Sequence, residues 1–186
     1  MRVWNGERQI VYLTIAGVDG ATLAAGDETY DNLLSAIQTY RDPTQRVQIA
    51  SYSQRYFRVR AELLVDDAYV TEDVYAEATA ALQAAFSFDA REFAQSVTAA
   101  EIVATLAAVA GVTAVDLNSL ELMAAGYDPA AETETEPEDL DETSEEALLS
   151  AVRLARQARW EGSSVKPAEL LLLDTSALGV VLEEMN

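Results

Sequence analysis

Asp89 and Glu92 are two carboxylates among aromatic residues, in the stretch FSFDAREFAQ. A carboxyl pair in apolar surroundings can supply a general acid and a general base. A separation of three residues in a turn, however, fixes no distance between the two groups, and Arg91 stands between them as an ion-pair partner. We therefore predict a structural corner that closes the end of a helix pair, rather than a catalytic site. The aromatic residues of this corner are Phe86, Phe88 and Phe93.

The densest run of carboxylates, residues 128–146, contains ten acids, two prolines and no base. Its alternating Glu132, Glu134 and Glu136 resemble a calcium-binding pattern, but such a loop also needs a glycine to turn the chain. The run lacks glycine, and Pro137 stiffens it. We expect a solvated acidic linker with no bound metal.

A basic ridge is the third candidate. Thr143 and Glu146 have the spacing of a capping box before ALLSAVRLARQARW, which predicts a helix there. Three arginines recur along this segment at three-residue spacing. Such a ridge would meet a protein carboxylate or the nearby linker acids. The candidate interface comprises Arg153, Arg156, Arg159 and Trp160.

Composition excludes several classes of site. The chain has no cysteine and no histidine, so it lacks a disulfide, a thiol nucleophile and the usual general base near neutral pH. Gly17, Gly20 and Gly26 are spaced too widely for a phosphate loop, and no lysine follows them. Ser163 and Ser164 have no neighbouring base.

The net charge of −20, from 32 acids and 12 bases, argues against nucleic-acid binding, because a basic surface is what neutralises phosphates. An acid excess is also typical of proteins from salt-loving hosts. No apolar run is long enough to span a membrane, and the first residues do not resemble a signal peptide. We expect a cytoplasmic protein.

The first elements follow from local patterns. Asn5-Gly6 predicts a hairpin between strands at 2–4 and 8–17. Apolar residues at helical spacing then predict a helix that Asp27 caps and that stops before Pro43. The apolar stripe of this helix comprises Tyr30, Leu33, Leu34 and Ile37.

A second set of elements begins with the alternating strand 55–66. Thr71 is expected to cap one helix, and Thr98 with Glu101 predicts a capping box for another, which runs through Val109 to Gly111. A strand at 112–122 follows, and two apolar runs predict a late pair of strands at the C-terminal end.

These elements predict an α+β fold with two side-by-side strand–helix modules, mixed sheets and helices packed on one face, plus an acidic loop and a C-terminal strand pair. The modules are expected at residues 1–53 and 54–127, and the acidic linker at 128–146. Residues 147–186 are expected to dock back on the modules.

The order of motifs resembles the C-terminal part of the J-like baseplate assembly proteins of contractile phage tails and related injection systems. The most specific pieces are YRDP, AAFSFDAREFAQSVTAAE, AGVTAVDL and PAELLLLD. Members of that family are usually much longer, with the larger part upstream, so this chain is expected to be a fragment or a short version.

The resemblance implies a structural wedge protein with no catalysis and no cofactor. Its implied partners are other baseplate subunits, namely wedge neighbours and hub or sheath-proximal proteins, in a symmetric hetero-oligomer. It implies assembly in the cytoplasm and then residence in a phage tail or injection particle. The alternative from the residues alone is a small regulatory or ligand-binding α+β domain, which a deep pocket with convergent polar groups would favour.

Overall fold

The computed structural model describes residues 1–130 and 152–185. These described residues form eleven strands and three helices, which confirms the predicted α+β class. They group into two compact units. Unit 1 comprises residues 1–54, 92–95 and 155–170, and unit 2 comprises the remaining described residues. The bounds of the four segments predicted from the sequence stay a prediction.

Unit 1 is built on a three-stranded sheet. Its order is β1 (Arg2–Trp4), β2 (Gln9–Ile15) and β3 (Val47–Ser51). The first pair is antiparallel, as the Asn5-Gly6 signal predicted, and the second is parallel. Parallel neighbours need a crossover, and α1 (Glu28–Tyr40) lies between β2 and β3 in the chain.

The turn of the first hairpin shows why its two central residue types matter. Asn5 Oδ1 accepts hydrogen bonds from the amides of Glu7 and Arg8, at 3.1 and 2.9 Å. Gly6 has a φ of +92°, a conformation that favours glycine. A Cβ on Gly6 would also lie 2.7 Å from the ring of Trp160, so the position is constrained twice.

The core of unit 1 is small, and one face of the hairpin supplies most of it. Val3, Ile10 and Tyr12 pack with Ala158, and Ala50 and Val165 are partly buried against them. The hairpin of β8 (Arg159–Glu161) and β9 (Ser164–Lys166) belongs to the same unit.

The apolar stripe of α1 is present, but none of its residues is fully buried. Asp27 occupies the N-cap position as predicted, yet its side chain accepts from the Ala24 amide at 2.6 Å and makes no cap bond to the helix. The expected capping bond is therefore wrong. The helix is held in part by Tyr30, whose hydroxyl donates to the Ile49 carbonyl.

Unit 2 is organised around β4 (Ser53–Val65). This strand pairs antiparallel with β6 (Val112–Leu122) and parallel with β11 (Val180–Glu184). β10 (Glu169–Leu173) is a further neighbour of β4. The two late strands thus exist, and both are hydrogen-bonded to β4.

Alternation along β4 builds the core of unit 2, because successive side chains point to opposite faces. Phe57, Val59, Ala61 and Leu63 are at most 1% exposed. Residues of α2 (Thr71–Ala85) and α3 (Ala99–Ala107) are also fully buried. These helical core residues are Val74, Ala78, Leu82, Ile102 and Leu106.

The N-terminal and C-terminal residues of α2 and α3 agree only in part with the predicted helix caps. Thr98 and Glu101 form the full capping box, as predicted. Thr71 is the first residue of α2 and not its cap, since Val70 occupies the N-cap position without a side-chain bond. α3 ends at Ala107, earlier than expected, and the turn that follows it contains Gly111 with a φ of +91°.

The helix predicted after Glu146 is wrong where the structure describes the segment. Residues 152–153 form β7 (Val152–Arg153), which pairs with β5 (Val97–Thr98), and β8 begins at Arg159. The predicted capping box of Thr143 and Glu146 lies outside the described residues, as does most of the acidic linker. Within residues 1–130 and 152–185, no helix is both long and apolar enough to cross a membrane.

Candidate functional site

The aromatic corner is divided between the two units. Phe86 is 2% exposed in unit 2, where its ring lies edge-on to Phe57 at 5.3 Å. Phe88 is half-buried in a short 3₁₀ turn. Phe93 is 37% exposed in unit 1, with its ring centroid 5.5 Å from that of Tyr52. The expectation of three rings filling one helix-pair end is therefore wrong, and only Phe86 is a core residue.

Asp89 and Glu92 are both exposed. The expected ion pair between Arg91 and these two carboxylates is not formed, because Arg91 pairs elsewhere. Arg91 is 4% exposed at its side chain and pairs with Glu101 at 3.3 Å. It also donates to the Ser96 carbonyl at 2.6 Å, and its guanidinium lies 5.1 Å from the Phe86 ring centroid. Arg91 therefore stabilises the start of α3 through its bonds to Glu101 and Ser96.

The three arginines predicted as a ridge do not lie on a helix. Arg153 is in β7 and donates to the Leu120 carbonyl of β6. Arg156 lies in an irregular segment and Arg159 in β8, so their three-residue spacing does not define a common face. Trp160 is 37% exposed and lies against Gly6.

A carboxylate of the same unit meets part of this segment, and the predicted interface of these arginines with another protein stays a prediction. Glu169, only 7% exposed, accepts the Arg156 amide at 3.0 Å and the Arg159 guanidinium at 3.3 Å. Arg159 also pairs with Glu161 at 2.8 Å. These contacts hold residues 155–170 of unit 1 together and occupy the Arg159 head group.

The most buried polar cluster of unit 2 was not anticipated from the sequence. Asp174 is fully buried, and its Oδ2 accepts from Arg58 Nε at 2.8 Å and from the Tyr127 hydroxyl at 2.9 Å. Arg58 Nη2 also donates to the Tyr127 oxygen at 2.8 Å. The Ser176 amide donates to the other carboxylate oxygen. We call Arg58, Tyr127 and Asp174 the buried triad.

Asp174 and Arg58 of the buried triad both stay charged at neutral pH. Burial alone would raise the pKa of Asp174, but the hydrogen bonds from Arg58, Ser176 and Tyr127 outweigh it and lower that pKa. Burial would likewise lower the pKa of Arg58, and its bonds to Asp174 and Tyr127 raise it instead. The carboxylate of Asp174 and the guanidinium of Arg58 neutralise each other. Through these bonds the triad links β4 to the segments around residues 127 and 174, which is a structural role.

The described residues contain no group of three or more acidic side chains arranged to hold a metal ion. Clefts are present on unit 1. One of about 250 Å³ is lined by α1 residues, among them Leu34 and Ile37, and by Arg41 and Arg46. A second, of about 240 Å³, is lined by Arg2, Arg8 and Arg46.

Two further clefts of unit 1 are formed around Tyr12. One, of about 380 Å³, is lined by polar residues and Trp160, and the other, of about 310 Å³, by Phe93 and Gln157. Neither brings together a base, a nucleophile and an oxyanion donor, which acyl-transfer chemistry would require.

Comparison with known families adds an observation about the first part of the chain. Residues 1–50 match the family model described as Baseplate J-like central domain. This match supports an assignment of residues 1–50 to the baseplate J-like family. This match bears out the resemblance to J-like baseplate proteins, and it indicates a structural role in a phage baseplate. No curated protein matches the chain significantly.

The matched segment, 1–50, contains the first hairpin, α1 and all but the last residue of β3. It therefore contains every residue that lines the two arginine clefts. No local pattern in the sequence indicates these clefts, because Arg46 lies far along the chain from Arg2 and Arg8. A sign did exist for the buried acids. Glu169 and Asp174 bound an unbroken apolar run, and carboxylates beside such a run must be paired when it is buried.

Proposed function

We propose that this chain is a wedge assembly protein of a contractile tail or injection-system baseplate and that it acts by protein–protein packing. The match of residues 1–50 to the baseplate J-like central domain carries this proposal. Its partners would be other baseplate subunits, and it would assemble in the cytoplasm before it becomes part of a tail or particle.

Three features of the described residues support a packing role without catalysis. The buried triad and the Glu169 contacts are closed networks in which the charged groups face each other, with no open position for a substrate. Asp89 and Glu92 are exposed and lack a shared partner. The clefts of unit 1 lie on its surface and are lined by arginine, amide and aliphatic side chains, which favours macromolecular contact over turnover.

Co-expression tests this proposal directly. The chain would be produced with the tail proteins encoded beside it, and complexes would be isolated by size-exclusion chromatography and weighed by mass spectrometry. We expect a complex of fixed stoichiometry that contains this chain and at least one wedge, hub or sheath-proximal protein. A chain that is folded by circular dichroism yet remains alone in every combination would contradict the proposal.

A further inference from the structure

Four of the twelve basic residues line the two adjoining clefts of unit 1, in a chain whose net charge is −20. The clefts share Ile10 and Arg46 in their walls, so they are neighbours on the surface of unit 1. We call the two clefts together the basic groove. It is defined by Arg2, Arg8, Arg41 and Arg46 together with Leu34 and Ile37.

Arg41 Nη1 donates to the Gln45 carbonyl at 2.5 Å, and the other three arginines of the groove lack a strong partner. Within the described part of the chain, the guanidinium groups of Arg2 and Arg46 have no hydrogen-bond or ion-pair partner. Arg8 lies 3.9 Å from Glu7, beyond hydrogen-bond range, with both side chains more than half exposed. Such an exposed pair is weak and leaves Arg8 available to a partner.

The acids near the groove do not neutralise it. Among the described residues, no carboxylate lines either cleft. Asp42 is the acid closest in sequence to Arg41, and its Oδ1 accepts from the amide and the hydroxyl of Thr44. These bonds lower the pKa of Asp42. Among the described residues, its carboxylate forms no ion pair with an arginine of the groove.

The groove also has an apolar part. Leu34 and Ile37 belong to the α1 stripe, of which no residue is fully buried. An amphipathic helix normally gains most of its stability by burying such a stripe. The half-buried stripe beside unpaired arginines is therefore complementary to a segment that carries both apolar and acidic side chains.

We propose that the basic groove docks a segment of another baseplate subunit, in which carboxylates flank at least one aliphatic or aromatic anchor. Arginine suits this role because its planar head group binds a carboxylate through two parallel hydrogen bonds. The inference rests on the proposed function for the identity of the partner, and on the lining residues for its chemistry.

A nucleic acid fits the groove less well. A DNA-binding protein can make about six to ten phosphate contacts, whereas this groove offers four arginines on one unit. The remaining charge of the chain, with 32 acids, would repel a long polyanion. A short acidic segment can reach the arginines without lying along the rest of the surface.

Fluorescence anisotropy with a defined probe tests the groove. The probe is a short labelled peptide of alternating Glu and Leu, and its matched control has Gln in place of Glu. We expect the Glu peptide to bind the full chain at low salt, to weaken as salt screens the charges, and to bind much more tightly than the Gln peptide.

Charge reversal then locates the binding. Arg46→Glu changes the residue shared by both clefts and should weaken probe binding roughly tenfold or more. Arg60→Glu is the matched control, because Arg60 is an exposed arginine of β4 in unit 2 and makes the same charge change outside the groove. We expect it to alter binding less than about twofold. Leu34→Ala should weaken binding while leaving the salt dependence unchanged.

Several results would overturn the inference. Equal losses in Arg46→Glu and Arg60→Glu would show only a net-charge effect, and equal binding of the Gln peptide would remove the role of the carboxylates. Tighter Arg46-dependent binding of an oligothymidylate would assign the groove to nucleic acid. Arg46-dependent self-association in sedimentation would make a second copy the occupant.

The co-expression experiment separates the two proposals. If the wild-type chain joins a baseplate complex and Arg46→Glu joins it equally well, the groove proposal fails and the proposed function stands. If the chain joins no such complex but binds the Glu peptide through Arg46, the baseplate partner is wrong and the groove chemistry stands.

Discussion

At the scale of single residues, buried charge is the feature that most constrains this molecule. Asp174 is fully buried and Glu169 nearly so, at the two ends of one apolar run. An isolated buried carboxylate would cost several kcal/mol, so each must have a charged or hydrogen-bonding partner. Arg58 and Tyr127 serve Asp174, and Arg159 with the Arg156 amide serves Glu169.

Asp174→Asn should destabilise unit 2 by about 3 kcal/mol near neutral pH, because it leaves Arg58 without its counter-charge. The folded-state pKa of Asp174 lies below its ordinary value of 3.8. The stabilisation by this carboxylate is therefore fully present above about pH 4 and is lost as the pH falls through the folded-state pKa. Urea unfolding of both proteins, between about pH 7 and pH 2, would measure a difference that shrinks in acid.

Asp89→Asn is the matched control for this titration, because Asp89 is exposed. It should change the free energy of unfolding by less than about 0.5 kcal/mol at every pH. A difference between wild type and Asp174→Asn that stays constant down to pH 2 would contradict the assignment of the low pKa to the buried triad.

The aromatic corner gives a second prediction at this scale. Phe86→Ala should cost about 3–5 kcal/mol, because the ring is buried against Phe57 and its loss leaves a cavity. Phe88→Ala should cost clearly less, since that ring is only half-buried. Glu92→Gln, at an exposed position, should be nearly neutral. Chemical denaturation of the three variants checks this order, and a larger cost for Phe88→Ala would refute it.

At the scale of elements, the first hairpin depends on a glycine with two constraints. Gly6→Ala imposes a positive φ on alanine and brings its Cβ within 2.7 Å of the Trp160 ring. Gly26→Ala imposes a similar φ with no atom within 4 Å, so it isolates the backbone term of about 1–2 kcal/mol. We expect Gly6→Ala to destabilise more and to change Trp160 fluorescence. Equal melting temperatures for the two variants would exclude a role for the ring contact.

Elements with a local cause could be predicted from the sequence. The capping box of Thr98 and Glu101 needs residues only three apart, and the Asn5-Gly6 hairpin depends on adjacent residues, so both patterns identify their structures. The alternation in β4 likewise reports burial on one face.

Elements that depend on distant partners could not be predicted in this way. Helical spacing in the segment around Arg153 was overridden by pairing with Val97, which lies far away in the sequence. The same limit applies to the sites. Arg58 meets Asp174, and Arg2 shares a cleft with Arg46, only because the folded chain brings them together. No spacing rule connects those residues.

At the scale of the whole molecule, the net charge of −20 leads to a prediction that does not depend on any one residue contact. Removal of residues 130–142 deletes seven carboxylates and no base. Because a run of like charge contributes little apolar burial, we expect the free energy of unfolding to change by less than about 1 kcal/mol. The melting temperature of the intact chain should rise with salt as repulsion is screened, and that of the deletion variant should rise less.

Differential scanning fluorimetry from low to molar salt would make this comparison. A deletion of the same length in α1, such as residues 28–40, is a suitable control because it removes a folded element. A loss of several kcal/mol on removal of 130–142 would contradict the prediction, and so would an equal salt response in the two proteins.

The pairing of β4 with β11 affects how the chain folds during its synthesis on the ribosome. Val59 lies opposite Val180, more than a hundred residues further along the chain. A ribosome adds about 5–20 residues per second, so β4 leaves it roughly ten seconds before β11 exists. During that interval one edge of a thirteen-residue strand has no β11 beside it, and an unpaired edge is where neighbouring nascent chains associate. Slower translation would lengthen this interval and should lower the soluble yield of the protein.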